Sequence, residues 1–356
     1  MTGLRVVFMG SPAFAVPSLE GLLDAGYEVV LVLAQPDRPA GRGRQPTPPP
    51  VAAFARARGL PLFQPPTLKP PEAFARLREA APDVIVVAAY GLILRREVLD
   101  LPRLGCLNVH ASLLPRHRGA SPISAAILAG DPETGICLMR MEVGLDTGPV
   151  LASSRTPIGP TDDTPTLTDR LALLGRDLLV ETLPRWAAGE ITPKPQDDSL
   201  ATYAPKIVRE DARLDWPLPA VELDRRVRAY RGWPDAFTTW QGKQLKVLAA
   251  RVDPTPQPPP LRGEGGHAAP APSLGAPSPS QGAVGVGGPM VGVMGWGGGL
   301  PGRVVLVSEG GQQRPAVVTG AGLLVLDTVA LEGKRPADGA DFVRGYRAFV
   351  GAELGG

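Results

Sequence analysis

Leu4-Arg-Val-Val-Phe-Met-Gly10-Ser-Pro-Ala-Phe-Ala-Val-Pro-Ser-Leu-Glu-Gly-Leu-Leu-Asp-Ala-Gly26-Tyr-Glu-Val-Val-Leu-Val-Leu-Ala34 reads as strand, helix and strand. Leu4–Met9 is a short apolar run, rich in Val and Phe, of the kind that forms a buried strand. Val16–Leu23 carries apolar residues at helical spacing and is stopped by Gly26. Glu28–Ala34 is the second strand. Two such strands joined through a helix are the unit from which parallel sheets covered on both faces are built.

The alternation continues to about residue 187. Val51–Arg58 and Pro71–Ala81 read as helices, Asp83–Ala88 and Cys106–His110 as strands, Thr134–Met141 as another strand and Leu167–Trp186 as a long helix. The pattern predicts a doubly wound, mostly parallel α/β domain over residues 1–187, Rossmann-like in outline. Ala188–Pro205 is polar and contains prolines, and reads as a linker. From residue 206 to about 350 the pattern changes to short β-like runs: Phe237–Trp240, Gln244–Leu248, Arg303–Val307, Ala316–Val318 and Gly322–Leu326. These predict a small OB-like β-barrel. Within it, half of the residues from Asp253 to Gly302 are Pro or Gly (25 of 50). Such a composition buries too little apolar surface to offset its ordering entropy. It is expected to be a disordered insertion at a loop tip, joining two strands that remain neighbours.

Composition narrows the function classes. The longest apolar stretch, Asp83-Val-Ile-Val-Val-Ala-Ala-Tyr-Gly-Leu-Ile-Leu94, is shorter than the ~20 residues a membrane helix needs and is broken by Gly91. The N-terminus lacks the length and cleavage site of a signal peptide, so a cytoplasmic protein is expected. Two cysteines, Cys106 and Cys137, make neither a disulfide framework nor a CxxC metal site, and read as small buried hydrophobes. With three histidines and no HExxH, no metal is expected. The net charge of +2 is too small to mark a nucleic-acid binder, so any RNA contact has to come from local basic clusters.

Arginine outnumbers lysine 31 to 6, and the chain has one asparagine, Asn108. It stands two residues from His110 at the end of a predicted parallel strand. That spacing puts both side chains on one side of the sheet, their Cα atoms ~6.5–7 Å apart. Doubly wound folds place their ligands at this end. The spacing by itself fits a half-buried polar pair at a strand end equally well. A second loop, Met141-Glu-Val-Gly-Leu-Asp-Thr-Gly-Pro149, sets Asp146 between glycines, where an Asp commonly makes a turn.

Asn108-Val-His110-Ala-Ser-Leu-Leu-Pro-Arg-His-Arg-Gly119, followed by Gly144-Leu-Asp-Thr-Gly-Pro149, resembles the signature of the folate-dependent formyltransferases, in order and in spacing. The resemblance implies a catalytic group of Asn108, His110 and Asp146. It implies a folate-lining segment of Ser112, Leu113, Leu114 and Pro115, and 10-formyltetrahydrofolate as formyl donor without a metal. Three features are similar to the family members that act on methionyl-initiator-tRNA. They are the opening Val7-Phe-Met-Gly-Ser-Pro-Ala-Phe-Ala-Val-Pro-Ser-Leu19, the loop Gln35-Pro-Asp-Arg-Pro-Ala-Gly-Arg-Gly-Arg44, and a set of C-terminal motifs. The last are Tyr203-Ala-Pro-Lys-Ile207, Arg231-Gly-Trp-Pro234 and Leu331-Glu-Gly-Lys-Arg335.

The implied acceptor is therefore the amino group of that tRNA, with Arg38, Arg42, Arg44 and Lys206 as contacts and no stable protein partner. Arginines on a Gly/Pro loop suit phosphate contact, although three arginines alone also describe a solvated loop. Relatives that formylate nucleotide sugars or glycinamide ribonucleotide would share the three catalytic residues. A dinucleotide-dependent oxidoreductase would need three glycines where this turn has only Gly10, and a silent RNA-binding module would not need the catalytic motif. His117 stands where the family usually has an aromatic residue, and Ser124 where it usually has glutamine.

Overall fold

Strands that are apolar on both sides have to be covered on both sides, and the computed structural model shows how. The structure describes residues 3–40, 45–253 and 300–355. They form two compact units, Met1–Ala212 with Arg228–Asp235, and Arg213–Val227 with Ala236–Gly356.

The first unit holds a seven-stranded sheet. Its spatial order is Val150–Pro157, Glu133–Arg140, Cys106–His110, Val84–Ala88, Arg5–Gly10, Glu28–Leu33 and Leu62–Phe63. The last five of these run parallel, and Glu133–Arg140 and Val150–Pro157 are antiparallel additions. Alternate residues separate into two cores. Val6, Phe8, Val86, Leu107 and Val109 pack with Leu167, Leu171 and Leu179 of helix Thr164–Ala187. Val7, Met9, Ile85, Val87 and Cys106 face Ala73 and Leu77 of helix Pro71–Glu79.

The strand Val150–Pro157 has no counterpart in the sequence reading. From Ala152 on, its residues alternate between partial burial and exposure, with Ser153, Arg155 and Pro157 exposed, so its apolar part is only three residues long. Helix Thr164–Ala187 starts at a capping box in which the Asp163 carboxylate accepts from the Thr166 N–H. Gly175 in this helix lies directly on the strand that bears Asn108 and His110: a Cβ there would sit 2.8 Å from Val109 Cγ1. The stretch expected to be a linker is folded onto the same unit. Lys194 pairs with Val150, and Tyr203–Ala204 adds a parallel pairing to Arg118–Gly119.

The second unit is a six-stranded antiparallel sheet, with Ala236–Trp240, Lys243–Val252, Leu323–Leu331, Gln312–Val318 and Val304–Glu309 in order and Ala337–Asp338 against Leu323–Leu331. Register shifts in Lys243–Val252 around Ala249 let this long strand bend. Trp240 meets Phe342, Tyr346 and Phe349 edge-on, at centroid separations of 5.9, 5.7 and 5.1 Å, which favours the positive ring edge against the negative face.

One expectation is corrected here. Lys243–Val252 and Val304–Glu309, the strands on either side of the Pro/Gly-rich stretch, do not pair, because Leu323–Leu331 and Gln312–Val318 lie between them. Of the disordered insertion expected from Asp253 to Gly302, residues 254–299 lie outside the described residues.

Gly175→Leu forces a side chain into space already filled by Val109 and Ile136. Overpacking of this kind is expected to cost about 2 kcal/mol, a fall in Tm of roughly 4–8 °C by calorimetry.

Candidate active site

Strand Cys106–His110 ends in the His110 side chain, which is buried, while Asn108 is half-buried on the same side. The chain then turns through Ala111–Arg116, and the Ser112 hydroxyl closes the loop by donating to the Arg116 carbonyl at 2.6 Å. Leu114 N–H donates to Cys137 Sγ at 3.3 Å. His117 and Arg118 are held by the stretch before residue 206: Arg118 N–H donates to Thr202 O, and His117 N–H to Thr202 Oγ1. Gly119 has φ of +124°, and a Cβ on it would lie 2.5 Å from the Ala204 carbonyl, so no other residue fits.

This placement lets the Gly119 N–H donate to Asp146 Oδ2 at 2.8 Å. Asn108 Nδ2 donates to Asp146 Oδ1 at 3.3 Å, and His110 Nδ1 is 3.7 Å from Oδ2. Asn108, His110 and Asp146 are thus brought together, from segments 36 or more positions apart in the chain. Asp146 also makes a turn, as an Asp between glycines commonly does. Its φ is +52°, a left-handed conformation that Asp tolerates better than most side chains.

The protonation of His110 follows from its partners. Nε2 lies 3.1 Å from the His117 carbonyl, which can only accept, so Nε2 carries the hydrogen. Burial holds the ring below the ordinary imidazole range, against the opposing pull of the Asp146 charge. The neutral ring therefore keeps its lone pair on Nδ1, on the Asp146 side. The second Asn108 amide hydrogen is not used by Asp146. The group offers an amide donor, a proton acceptor, and a carboxylate able to stabilise that acceptor once it is charged.

The two departures from the family pattern have local partners. His117 Nε2 is 2.7 Å from Asp131 Oδ2, and Arg116 donates to the other oxygen at 2.6 Å. Burial works against the Asp131 charge, but these two partners outweigh it and lower its pKa. Ser124 Oγ lies 3.1 Å from Thr164 Oγ1. Leu113, Leu114 and Pro115 are half-buried, whereas Ser112 is buried with its hydroxyl committed inside the loop. Arg38 is exposed on a short hairpin, Arg38–Ala40 against Gln45–Thr47, and Lys206 is exposed. Arg42 and Arg44 lie outside the described residues.

Burial pushes the thiols of Cys106 and Cys137 up to about 12 and about 11, which removes thiolate chemistry near neutrality. Among the described residues no group of three or more His, Cys, Asp or Glu could hold a metal ion, and no helix is long and apolar enough to cross a membrane. The sequence reading did not single out Gln196, Thr202 or Asp131. Gln196 and Thr202 sit in a polar stretch with no periodicity, and only the fold brings them to the loop.

Comparison with known proteins matches residues 4–183 to the family described as formyl transferase, and residues 206–347 to its C-terminal domain. The chain belongs to the formyl transferase family. A relative from Roseiflexus castenholzii, named methionyl-tRNA formyltransferase, is 46% identical over 99% of both chains. Another of that name, from Citrifermentans bemidjiense, is 40% identical over the whole of this chain and 98% of its own. Among solved structures, an N-formyltransferase from Helicobacter canadensis in complex with folinic acid and dTDP-3-aminofucose covers 91% of this chain and 98% of its own. It has a TM-score of 0.59 at 13% identity. HypX from Aquifex aeolicus in complex with tetrahydrofolic acid covers 96% of this chain and 47% of its own, with a TM-score of 0.56 at 15% identity. At those identities the two structures bear on the fold of this family member.

The His110 titration, followed by imidazole NMR in a chain with three histidines, is expected to have its midpoint below the ordinary 6.5. Asp146→Asn removes the one nearby negative charge that raises it, so the midpoint moves further down. An upward move would contradict the arrangement.

Proposed function

We propose that the protein transfers the formyl group of 10-formyltetrahydrofolate to the free amino group of methionyl-initiator-tRNA. The observation that carries this reading is the meeting of Asn108, His110 and Asp146 around one nearly buried carboxylate. Full-length relatives that carry the name methionyl-tRNA formyltransferase support the acceptor over a nucleotide sugar or glycinamide ribonucleotide.

Each residue has a chemical part. As the amine attacks the formyl carbon, a C–N bond forms and negative charge grows on the formyl oxygen. The free Asn108 hydrogen donates to that oxygen. His110 Nδ1 takes the proton that the nitrogen must lose, and the resulting imidazolium faces the Asp146 carboxylate. His110 then returns the proton to the folate nitrogen as its bond to the formyl carbon breaks. Atoms and charge balance without a metal or an oxidant. Leu113, Leu114 and Pro115 supply apolar contact for the folate, and Ser112 sets the shape of their loop. Val143 and Leu145, exposed on the loop of Asp146, offer further apolar surface.

Arg38, Arg42, Arg44 and Lys206 contact tRNA phosphates in this reading, and the antiparallel β unit provides additional tRNA contact. We place the enzyme in the cytoplasm, with no stable protein partner.

Incubation with 10-formyltetrahydrofolate and methionyl-tRNA is expected to yield formylmethionyl-tRNA. His110→Ala and Asn108→Ala should each lower kcat at least ~10²-fold with folding intact. Near-normal rates in both variants would remove the assignment. Arg38→Ala should weaken tRNA binding and reduce the log–log salt slope by roughly 0.7–0.9, leaving folate binding unchanged. An unaltered slope would mean that Arg38 is only solvated.

A further inference from the structure

We infer that Gln196, held by the buried Arg118, is a positioning residue that sets the Asp146 turn for formyl transfer, an inference that rests on the function proposed above. Gln196 Nε2 donates to two main-chain carbonyls of the catalytic loop, Asp146 O at 2.8 Å and Gly148 O at 2.7 Å. Gln196 Oε1 accepts from Arg118 Nε at 3.1 Å and Nη2 at 2.8 Å. These partners leave the amide one orientation. Carbonyls cannot donate and a guanidinium cannot accept, so the NH2 group must face the loop and the oxygen must face Arg118.

Arg118 is 2% exposed, and its Nη2 also donates to Asp198 Oδ1 at 2.7 Å. The residue after it, Gly119, gives its N–H to the Asp146 carboxylate. A closed ring of contacts results: the Asp146 carboxylate to Gly119, the neighbouring Arg118 side chain to Gln196, and Gln196 back to the Asp146 carbonyl. The ring grips Asp146 by both its side chain and its main chain, at a residue whose φ is +52°. A non-glycine residue persists in that region only where its surroundings over-determine it. Without Gln196 the two carbonyls lose their donor, the turn relaxes, and the carboxylate leaves its place beside His110. A misplacement of ~1 Å in such a group costs up to ~10²-fold in rate.

Two variants separate positioning from simple packing. Gln196→Glu keeps an acceptor for Arg118 and so keeps the fold, but it cannot donate to either carbonyl. Gln196→Ala loses both contacts. Both are expected to lower kcat about 10- to 100-fold, with KM for each substrate within about threefold of wild type. Gln196→Glu should melt within about 2 °C of wild type. In the substrate-free Gln196→Ala protein, the His110 midpoint should move down towards its value in Asp146→Asn. Wild-type kcat in Gln196→Glu, an unmoved His110 midpoint in Gln196→Ala, or a rate loss matched by loss of folded protein would each overturn the inference. If the wild-type protein fails to formylate methionyl-tRNA, the acceptor reading falls, while the titration still decides the positioning.

Discussion

A carboxylate almost withdrawn from water has to be met by donors, because an unpaired buried charge is prohibitively costly. The Asp146 side chain is 12% exposed, and its two oxygens are met by the Gly119 N–H and the Asn108 amide. Each donor is available only because something larger is in place. Gly119 is aimed by the pairing of Arg118–Gly119 with Tyr203–Ala204, and Asn108 by a strand hydrogen-bonded on both sides. His110 sits in the same frame, its tautomer set by a main-chain carbonyl and not by the solvent. The proposed chemistry therefore depends on the backbone of three separate segments, with little left to the freedom of side chains.

The sheet behind this group is rigid for a related reason. Its parallel strands are buried on both faces, so a shift of one residue would exchange the two cores entire. Val109, between Asn108 and His110 in the strand, is pinned against Gly175 of the long helix, and that contact fixes the depth at which the two side chains stand.

Much of this was written plainly in the chain. The strand–helix alternation, the Asn108/His110 spacing and the glycine-flanked Asp146 all depend on local pattern, and local pattern is what a sequence displays. The edge strand Val150–Pro157 was hidden because one of its faces is solvated, and helix Pro122–Ala129 because apolar residues and alanines stand nearly all round it and leave no helical period to read. The ties of Ala188–Pro205 to the first unit were hidden for a different reason. Polar residues that satisfy buried carbonyls and guanidinia look, in one dimension, the same as polar residues that face water. Gln196 and Thr202 differ from linker residues only in partners that lie 48 or more positions away. The neighbourhood of Lys243–Val252 and Val304–Glu309 was misjudged because strand order is a non-local property, and two later strands entered between them.

That strand order has a practical meaning. Two intervening strands hold the ends of Lys243–Val252 and Val304–Glu309 roughly 14 Å apart at the usual strand spacing. The connection between them has a minimum length, so it cannot be reduced to a two-residue hairpin. It has no comparable maximum, because each doubling adds only about 0.6 kcal/mol of closure entropy. The joint behaves as a splice port: a reporter domain with closely spaced termini could be carried there, leaving the sheet order of the β unit intact.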